Sequence, residues 1–113
     1  MHVFPRLYRL VTKQDFQSVF ATSHKATHRY LLALYLPNNR PYARLGMIIT
    51  KRHVRLAVHR NQLRRMIRES FRHEKEALKG LDIIVLMRSK WSPLDKAVLR
   101  DDIKRLWQKC VLS

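Results

Sequence analysis

The chain has 113 residues, enough for one domain spanning residues 1–113, since a chain of this length buries roughly 65% of the surface that its unfolded form exposes. Its apolar fraction of 46% argues against disorder, but 24 Lys and Arg residues against eight Asp and Glu give a formal charge of +16. Because self-repulsion on this scale disfavours the compact state, the charge predicts a polyanionic partner, with nucleic acid as the first candidate and an anionic membrane as the second.

Cysteine content and hydropathy bear on the compartment. The single cysteine, Cys110, excludes an intramolecular disulfide and fits a reducing setting. The first residues, MHVFPRLYRLV, carry Pro5, Arg6 and Arg9 where a signal peptide has its apolar core. The longest apolar run, LLALYL, is far shorter than the ~20 residues of a membrane span. We therefore expect a soluble, cytoplasmic protein.

A short helix is the first predicted element. Thr12 and Asp15 have the spacing of a capping box, and Phe16, Val19 and Phe20 follow at helical spacing.

Two strand-like segments come next. Residues 27–36 (THRYLLALYL) and 43–50 (ARLGMIIT) are rich in strand-forming residues, and the intervening PNNRPY is typical of a turn. We therefore expect an antiparallel hairpin over residues 27–50. Residues 23–26 could be a loop or a further strand that completes the sheet.

The second half of the chain predicts a helix, a strand and a helix. The pattern indicates a helix over residues 57–78, with Gly80 as its C-terminal cap, and then a buried strand, LDIIVLMR. Ser92, Pro93 and Asp95 fit the N-cap, N1 and N3 positions of a last helix. The inner side of that helix would carry Leu99, Ile103, Leu106, Trp107 and Cys110. The order predicts a small α+β sandwich with helices against one sheet.

Charge is segregated on the helix predicted over residues 57–78. Its outer face carries Arg60, Asn61, Arg64, Arg65, Arg68, Arg72, Lys75 and Lys79, with Glu69 and Glu76 at the rim. A solvated face usually mixes signs at i, i+4, whereas four of these arginines form an i, i+4 ladder of one sign, which costs stability. Guanidinium groups suit phosphate oxygens, and Lys51, Arg52 and Arg55 in the preceding connection add to them. The pattern predicts a docking face for a polyanion.

This region also resembles a known family. The segment KRHVRLAVHRNQLRRMIRESFR resembles the RNR signature of the bacterial ribonuclease P protein subunit. FPRLYRLVTKQDFQSVF is similar to the family's N-terminal segment and first helix, and ARLGMIITKR to its strand running into the basic connection. LDIIVLMR and the closing helix with Trp107 follow in the family's order, so the resemblance covers nearly the whole chain.

The resemblance implies a fold and a function. The fold is a two-layer sandwich like domain 2 of ribosomal protein S5, in the order α-β-β-(β)-α-β-α, with a left-handed βαβ crossover where the usual rule predicts a right-handed one. The function is that of the protein subunit of ribonuclease P, an endoribonuclease that removes 5′ leaders from precursor tRNA. The resemblance implies that the ribonuclease P RNA, with its bound Mg²⁺, carries the catalysis, and that the protein contributes no catalytic residue and holds no cofactor alone.

Site residues follow from the same resemblance. The positions expected to face RNA are Lys51, Arg52, Arg55, Arg60, Asn61, Gln62, Arg64, Arg65, Arg68 and Arg72. Gln62 stands where the family usually has arginine, so a phosphate contact there would be weaker. A cleft for the single-stranded leader would be lined by Phe16 and Phe20, and by an aromatic on the neighbouring strand, where Tyr35 competes with Leu34 on the opposite face.

Other residues favour structural roles. Trp107 and Cys110 are expected in the core, and the six histidines form no metal-ligand set. Asp82, Asp95, Asp101 and Asp102 could be imagined as a nuclease metal site, but Asp95 fits a helix cap and the last two fit the helix surface.

Three other functions remain to be separated from this one. A general RNA-binding or ribosomal protein would use the same arginine face without a catalytic RNA. A helix-turn-helix DNA binder would need a short partner helix before the basic helix, where strand and turn are predicted instead. A protein nuclease would cleave without any RNA subunit. We expect RNA partners, no DNA and no membrane.

Overall fold

The computed structural model describes residues 9, 13–22, 24–91 and 96–112. Its elements, in chain order, are α1 (Lys13–Thr22), β1 (His24–His28), β2 (Leu31–Pro37), β3 (Arg44–Ile48), α2 (Ala57–Leu78), β4 (Leu81–Met87) and α3 (Lys96–Leu112). This confirms the α+β class and the predicted order. Residues 24–26 of the segment left open between loop and strand belong to β1. The predicted cap residues Thr12, Ser92, Pro93 and Asp95 lie outside the described residues.

The four strands form one mixed sheet in the order β1-β2-β4-β3. β1 and β2 form an antiparallel hairpin around Arg29 and Tyr30, where Arg29 adopts a φ of 50°. β2 also pairs antiparallel with β4, and β3 pairs parallel with β4. Helix α2 is therefore the crossover between two parallel neighbouring strands. The left hand expected for this crossover stays a prediction.

The predicted antiparallel hairpin over residues 27–50 is wrong, because β4 lies between its two strands. Four consecutive residues of β4, from Asp82 to Val85, are buried, as suits a central strand with neighbours on both sides. The segment after β2 turns away to the end of α2 instead of closing a hairpin. There the Asn38 amide donates to Gly80 O at 2.8 Å, and the Gly80 amide donates to Tyr42 O at 3.3 Å.

Alternate residues of each strand face two different layers. On one face, α2 and α3 cover the main core, which includes Leu31, Ala33, Tyr35, Leu45, Ile83, Val85, Leu63, Ile67, Phe71, Leu99, Ile103 and Trp107. On the other face, α1 packs against a smaller cluster of Phe16, Val19, Leu34, Ile48, Ile84 and Leu86. Because α1 has only ten residues, Leu34, Ile48 and Leu86 beside it remain half-buried. These half-buried residues form an apolar strip along this face.

The bounds of α2 agree with the predicted helix over residues 57–78. Gly80 follows the end of the helix with a φ of 86°, a conformation that glycine tolerates best. Its amide donates to Tyr42 O, outside the helix, so the positive φ fits the prediction while the hydrogen bond differs from that of a helix cap. On its core side, Phe71 meets Trp107 edge to face with ring centroids 6.0 Å apart, and Trp107 Nε1 donates to Ser70 Oγ at 2.9 Å. Among the described residues, no helix combines the length and the apolar character needed to cross a membrane.

Candidate nucleic-acid interface

The arginine ladder of α2 lies on one flank of the helix. Its members, Arg60, Arg64, Arg68 and Arg72, are half-buried. The last three each follow a buried core residue, Leu63, Ile67 or Phe71, and one residue turns a helix by about 100°. The ladder therefore runs directly beside the core side, whereas Asn61 and Arg65 are exposed.

Arg9 adds to this flank from another part of the chain. It forms a parallel bridge with Leu45 on β3, the edge strand beside α2. Burial lowers the pKa of Arg68, and the positive charges of Arg9 and Arg64 lower it further. The structure thus places Arg9 close enough to the ladder for its charge to act on Arg68, a position that was not predicted from the sequence. No local pattern could have identified it, because the contact depends on the tertiary fold.

Arg60 has a different role from the other ladder residues. Its Nη1 donates to Val54 O at 3.0 Å and to Arg55 O at 2.8 Å. Helix α2 begins after Leu56, whose side chain makes no capping hydrogen bond. The Arg60 guanidinium therefore ties the basic connection to the first turn of the helix.

The two amides beside Arg60 lie in different places. Asn61 is exposed, and its Oδ1 accepts a long hydrogen bond from Arg64 Nη1 at 3.4 Å, so it orients one member of the ladder. Gln62 is half-buried, and its Oε1 is shielded from solvent without a hydrogen-bond donor among the described residues. Two residues at 100° each separate Gln62 from Arg64, so it lies on the opposite flank. Its predicted contact with RNA stays a prediction.

The basic connection carries exposed cations on a fixed backbone. Lys51, Arg52 and Arg55 are exposed, whereas Val54 is 1% exposed and anchors the turn in the core. The amides of His53 and Val54 both donate to Thr50 O, at 3.2 and 3.0 Å. The three cations therefore extend the positive surface of α2 toward its N-terminus.

The two phenylalanines of α1 separate into different environments. Phe16 packs against the small cluster on the sheet, whereas Phe20 is 47% exposed. Tyr35, which was predicted to line the cleft beside them, is 5% exposed and lies in the main core on the opposite face of the sheet. That prediction does not fit the structure. Side chains alternate along a strand, so it is Leu34 that faces α1.

An ion-pair network holds α1 at one end of this face. Arg44 on β3 donates from Nε and Nη2 to the two carboxylate oxygens of Asp82, at 2.8 and 2.6 Å. Its Nη2 also lies 3.4 Å from Asp15 Oδ1 on α1, and Asn38 Nδ2 donates to Asp82 Oδ1 at 2.8 Å. The hydrogen bonds to Asp82 raise the pKa of Arg44, against the opposing effect of burial. Asp82 is thus engaged by Arg44 and Asn38 rather than placed in a nuclease site.

The two aspartates of α3 lie in different environments. Asp101 is exposed and accepts a 2.7 Å hydrogen bond from Arg105, which lowers the pKa of Asp101. Asp102, predicted at the helix surface, is fully buried, and that prediction is wrong. Its Oδ1 lies 3.2 Å from His28 Nε2 and 3.5 Å from Arg29 Nε, because the β1–β2 turn covers it. Within the described ranges, no three His, Cys, Asp or Glu side chains group as a metal site.

The remaining core predictions are confirmed. Trp107 is 2% exposed, and its indole is bonded inside the protein. Cys110 is a buried free thiol, and burial raises its pKa to about 12. Neither residue contributes to a reactive or nucleic-acid-binding surface.

Comparisons with known proteins agree on one family. A family model described as Ribonuclease P matches residues 4–111. The ribonuclease P protein component of Chromohalobacter salexigens is 44% identical over 107 residues, which cover 94% of this chain and 84% of that protein. The corresponding protein of Pseudomonas aeruginosa is 40% identical over 94% of this chain and 79% of its own length.

Solved structures give the same result. The RNase P protein from Thermotoga maritima matches with a TM-score of 0.78 and 31% identity, over 89% of this chain and 96% of that one. The Staphylococcus aureus RNase P protein matches with a TM-score of 0.78 and 26% identity, over 90% of this chain and 94% of that one.

Proposed function

This chain belongs to the family of ribonuclease P protein components, and from that premise we propose that its partners are the ribonuclease P RNA and a precursor tRNA. In this proposal the protein binds the catalytic RNA through α2 and the connection before it. It binds the single-stranded 5′ leader on the sheet face beside α1. The cytoplasmic location expected from the sequence belongs to the same proposal.

The observation that carries this proposal is the clustering of arginines on α2, where the acids Glu69 and Glu76 are outnumbered. Exposed Arg65, the half-buried arginines of the ladder and the cations of residues 51–55 form one surface on a helix whose other side is fixed in the core. Such a surface suits a phosphate backbone, because each neutralised phosphate releases counterions. If about six of these cations met phosphates, log K would fall with log salt at a slope of about −4 to −5.

The apolar strip beside α1 supports the leader contact. Phe20 is exposed at one side of the strip, and half-buried Leu34 and Leu86 form part of its floor. Unpaired bases stack on aromatic side chains with about 1–3 kcal/mol per base, whereas a paired stem offers no free base faces. Binding energy gained on the leader, remote from the scissile bond, would favour precursor over mature tRNA.

Catalysis is assigned to the RNA partner. In this proposal the Mg²⁺ expected in the holoenzyme is held mainly by RNA, where it would activate water and stabilise the leaving oxygen. The protein's contribution is to neutralise RNA charge, which would let the complex form at lower Mg²⁺ concentration. Family membership does not favour a general RNA-binding role without a catalytic RNA.

The helix-turn-helix alternative fails on topology. The element before α2 is strand β3, followed by the basic turn of residues 51–55, and not a partner helix. No DNA partner is proposed.

An omission assay tests the RNA partner. Purified protein, a bacterial ribonuclease P RNA and a 5′-labelled precursor tRNA are mixed at low Mg²⁺, and each component is left out in turn. We expect cleavage at the mature 5′ end only when protein and RNA are both present. The double variant Arg64→Ala with Arg65→Ala should weaken assembly, whereas a single Arg100→Ala on α3 controls for an exposed cation outside α2. Salt-sensitive RNA binding without stimulated cleavage would contradict the proposal.

The leader contact has its own test and a matched control. Phe20→Ala should reduce the holoenzyme's preference for precursor over mature tRNA by roughly 5- to 100-fold, the equivalent of about one lost stacking contact. Val111→Ala on α3 removes an apolar side chain of similar exposure, 46% against 47%, and should leave the preference unchanged. Equal binding of precursor and mature tRNA by the unmodified holoenzyme would exclude a leader site.

A further inference from the structure

A basic pocket lies between the connection before α2 and the segment after β4. Its volume is about 450 Å³, within the range of small-ligand sites. Its walls come from distant parts of the chain, and the Trp91 amide joins them by donating to His53 O at 3.3 Å. The backbone segments on the two sides of the pocket are therefore joined within the fold.

The rim of the pocket is positively charged. Lys51, Arg52 and Arg55 lie on one side and Lys90 on the other, and all four are exposed. Among the residues that the structure describes, no acidic side chain lines the pocket. Lys90 is not part of the ribonuclease P signature region. Four cations around one opening would attract phosphate groups from either side.

The interior of the pocket differs from its rim. Leu56 is 50% exposed and forms an apolar wall, and the half-buried imidazoles of His53 and His59 lie beside it. Trp91 is 6% exposed, and its indole Nε1 has no hydrogen-bond acceptor among the described residues. A site for phosphate alone needs no apolar wall and no imidazole faces, whereas both suit a planar base.

We propose that this pocket receives one unpaired nucleotide of the bound RNA, with its base against Leu56 and His59 and its flanking phosphates on Arg52, Arg55 and Lys90. The inference rests on the proposed function, because it requires an RNA partner, and it adds a base-accepting site to a surface so far described as phosphate-binding. Duplex RNA would not enter, since its bases are stacked and paired.

The two tryptophans provide a direct readout. The chain has only Trp91 and Trp107, so a ¹H–¹⁵N spectrum of the full-length protein shows two indole signals. Trp91 lines the pocket, whereas Trp107 Nε1 is bonded to Ser70 Oγ in the core and serves as an internal control. The titrants are single-stranded RNA pentamers of adenylate and of uridylate, an abasic ribose-phosphate pentamer, and inorganic phosphate.

We expect either RNA pentamer to shift the Trp91 indole signal and the ring signals of His53 and His59, with Trp107 unchanged. The abasic pentamer should bind about tenfold more weakly, the equivalent of about one lost stacking contact. It should leave the Trp91 indole signal unshifted. Equal shifts of Trp91 with the abasic pentamer or with phosphate would overturn the base site and leave a phosphate site. Shifts confined to the amides of α2 would overturn it while leaving the RNA-binding function intact. Absence of any shift, together with no stimulation of cleavage, would overturn both.

A pair of variants tests the pocket without unfolding the protein. Leu56→Asn removes the apolar wall, yet asparagine is a preferred N-cap at this position, so α2 should remain intact. We expect it to abolish the difference in affinity between RNA and abasic pentamers. Val58→Asn changes a neighbouring exposed side chain that does not line the pocket, and it should preserve the difference. Equal behaviour of the two variants would contradict the assignment.

Discussion

Substitution of Arg60 would distinguish two roles of an arginine in this surface, namely contacting RNA directly and holding the surface in shape. Its Nη1 donates to Val54 O and Arg55 O, at 3.0 and 2.8 Å. Hydrogen bonds from a charged donor contribute about 1.5–3 kcal/mol each when well shielded, and Arg60 is only half-buried. Arg60→Ala removes these hydrogen bonds, so we expect residues 51–55 to lose about 1–3 kcal/mol of the free energy that holds them in the folded conformation. RNA binding, which requires that conformation, should weaken by roughly 5- to 100-fold.

The salt dependence distinguishes this mechanism from a lost phosphate contact. Arg65 is exposed on the outer side of α2, so Arg65→Ala should make the slope of log K against log salt shallower by about 0.7–0.9. Arg60→Ala should lower K at every salt concentration while keeping the wild-type slope within about 0.3 of its value. The assay is binding to a ribonuclease P RNA from about 50 to about 200 mM salt. A reduction of slope for Arg60→Ala equal to that for Arg65→Ala would refute the reasoning.

Three further predictions concern the scaffold. Phe71→Ala should lower the free energy of unfolding by about 3–5 kcal/mol, since Phe71 is fully buried against Trp107, and a urea titration showing a loss below about 1 kcal/mol would contradict this packing. Gly80→Ala should lower the free energy of unfolding by about 1–2 kcal/mol, because a residue with a Cβ is strained at a φ of 86°. The added Cβ makes no clash, since its nearest neighbour, Arg40 O, is at an ordinary 3.8 Å. An unchanged denaturation midpoint would contradict this strain. The Cys110 thiol, with a pKa of about 12, should react with thiol reagents at pH 8 roughly 100-fold or more slowly than free cysteine. Because folding raises this pKa, its contribution to stability should be lost as the pH rises from about 9 toward 12, relative to Cys110→Ala; a constant difference between the two proteins across this range would contradict the burial.

Helix α2 was predictable because its determinants are local. The amphipathic pattern and the glycine at position 80 fixed its bounds at 57–78 without knowledge of the fold. The segregation of its arginines followed from the helical repeat alone. What the repeat could not supply was the role of Arg60, since hydrogen bonds to a preceding turn depend on the path of that turn.

The strand pairing was not predictable in the same way. The segments at 27–36 and 43–50 contain β2 and β3, but their partner is β4, which is formed about 35 to 50 residues later in the chain. A Pro- and Asn-rich connection is compatible with a hairpin, and only the continuous burial of β4 reveals that it occupies the centre of the sheet. The same limit applies to Arg9, Arg44 and Asp102, whose environments are set by elements far away in sequence.

Tyr35 shows how a one-residue ambiguity changes a functional assignment. Aromatic character favoured Tyr35 over Leu34 as a base-stacking residue, but alternation along β2 sends the two side chains to opposite faces. The structure assigns the tyrosine to the core and the leucine to the face beside α1. Any aromatic stacking there falls to α1, whose Phe20 is exposed.

The position of α2 as the crossover between β3 and β4 has a mechanical consequence. Both ends of the helix continue, after short connections, into adjacent strands of one sheet, and its inner side is locked by Leu63, Ile67 and Phe71. A tilt or slide of the helix would disrupt the core contacts of these buried side chains. The arginine face is therefore a preset template, and a partner that docks on it loses little free energy to ordering the protein backbone. The arginines repel one another in the free protein, and the core contacts of the helix hold them near one another despite this repulsion. Bound phosphates would neutralise these charges and so relieve the repulsion.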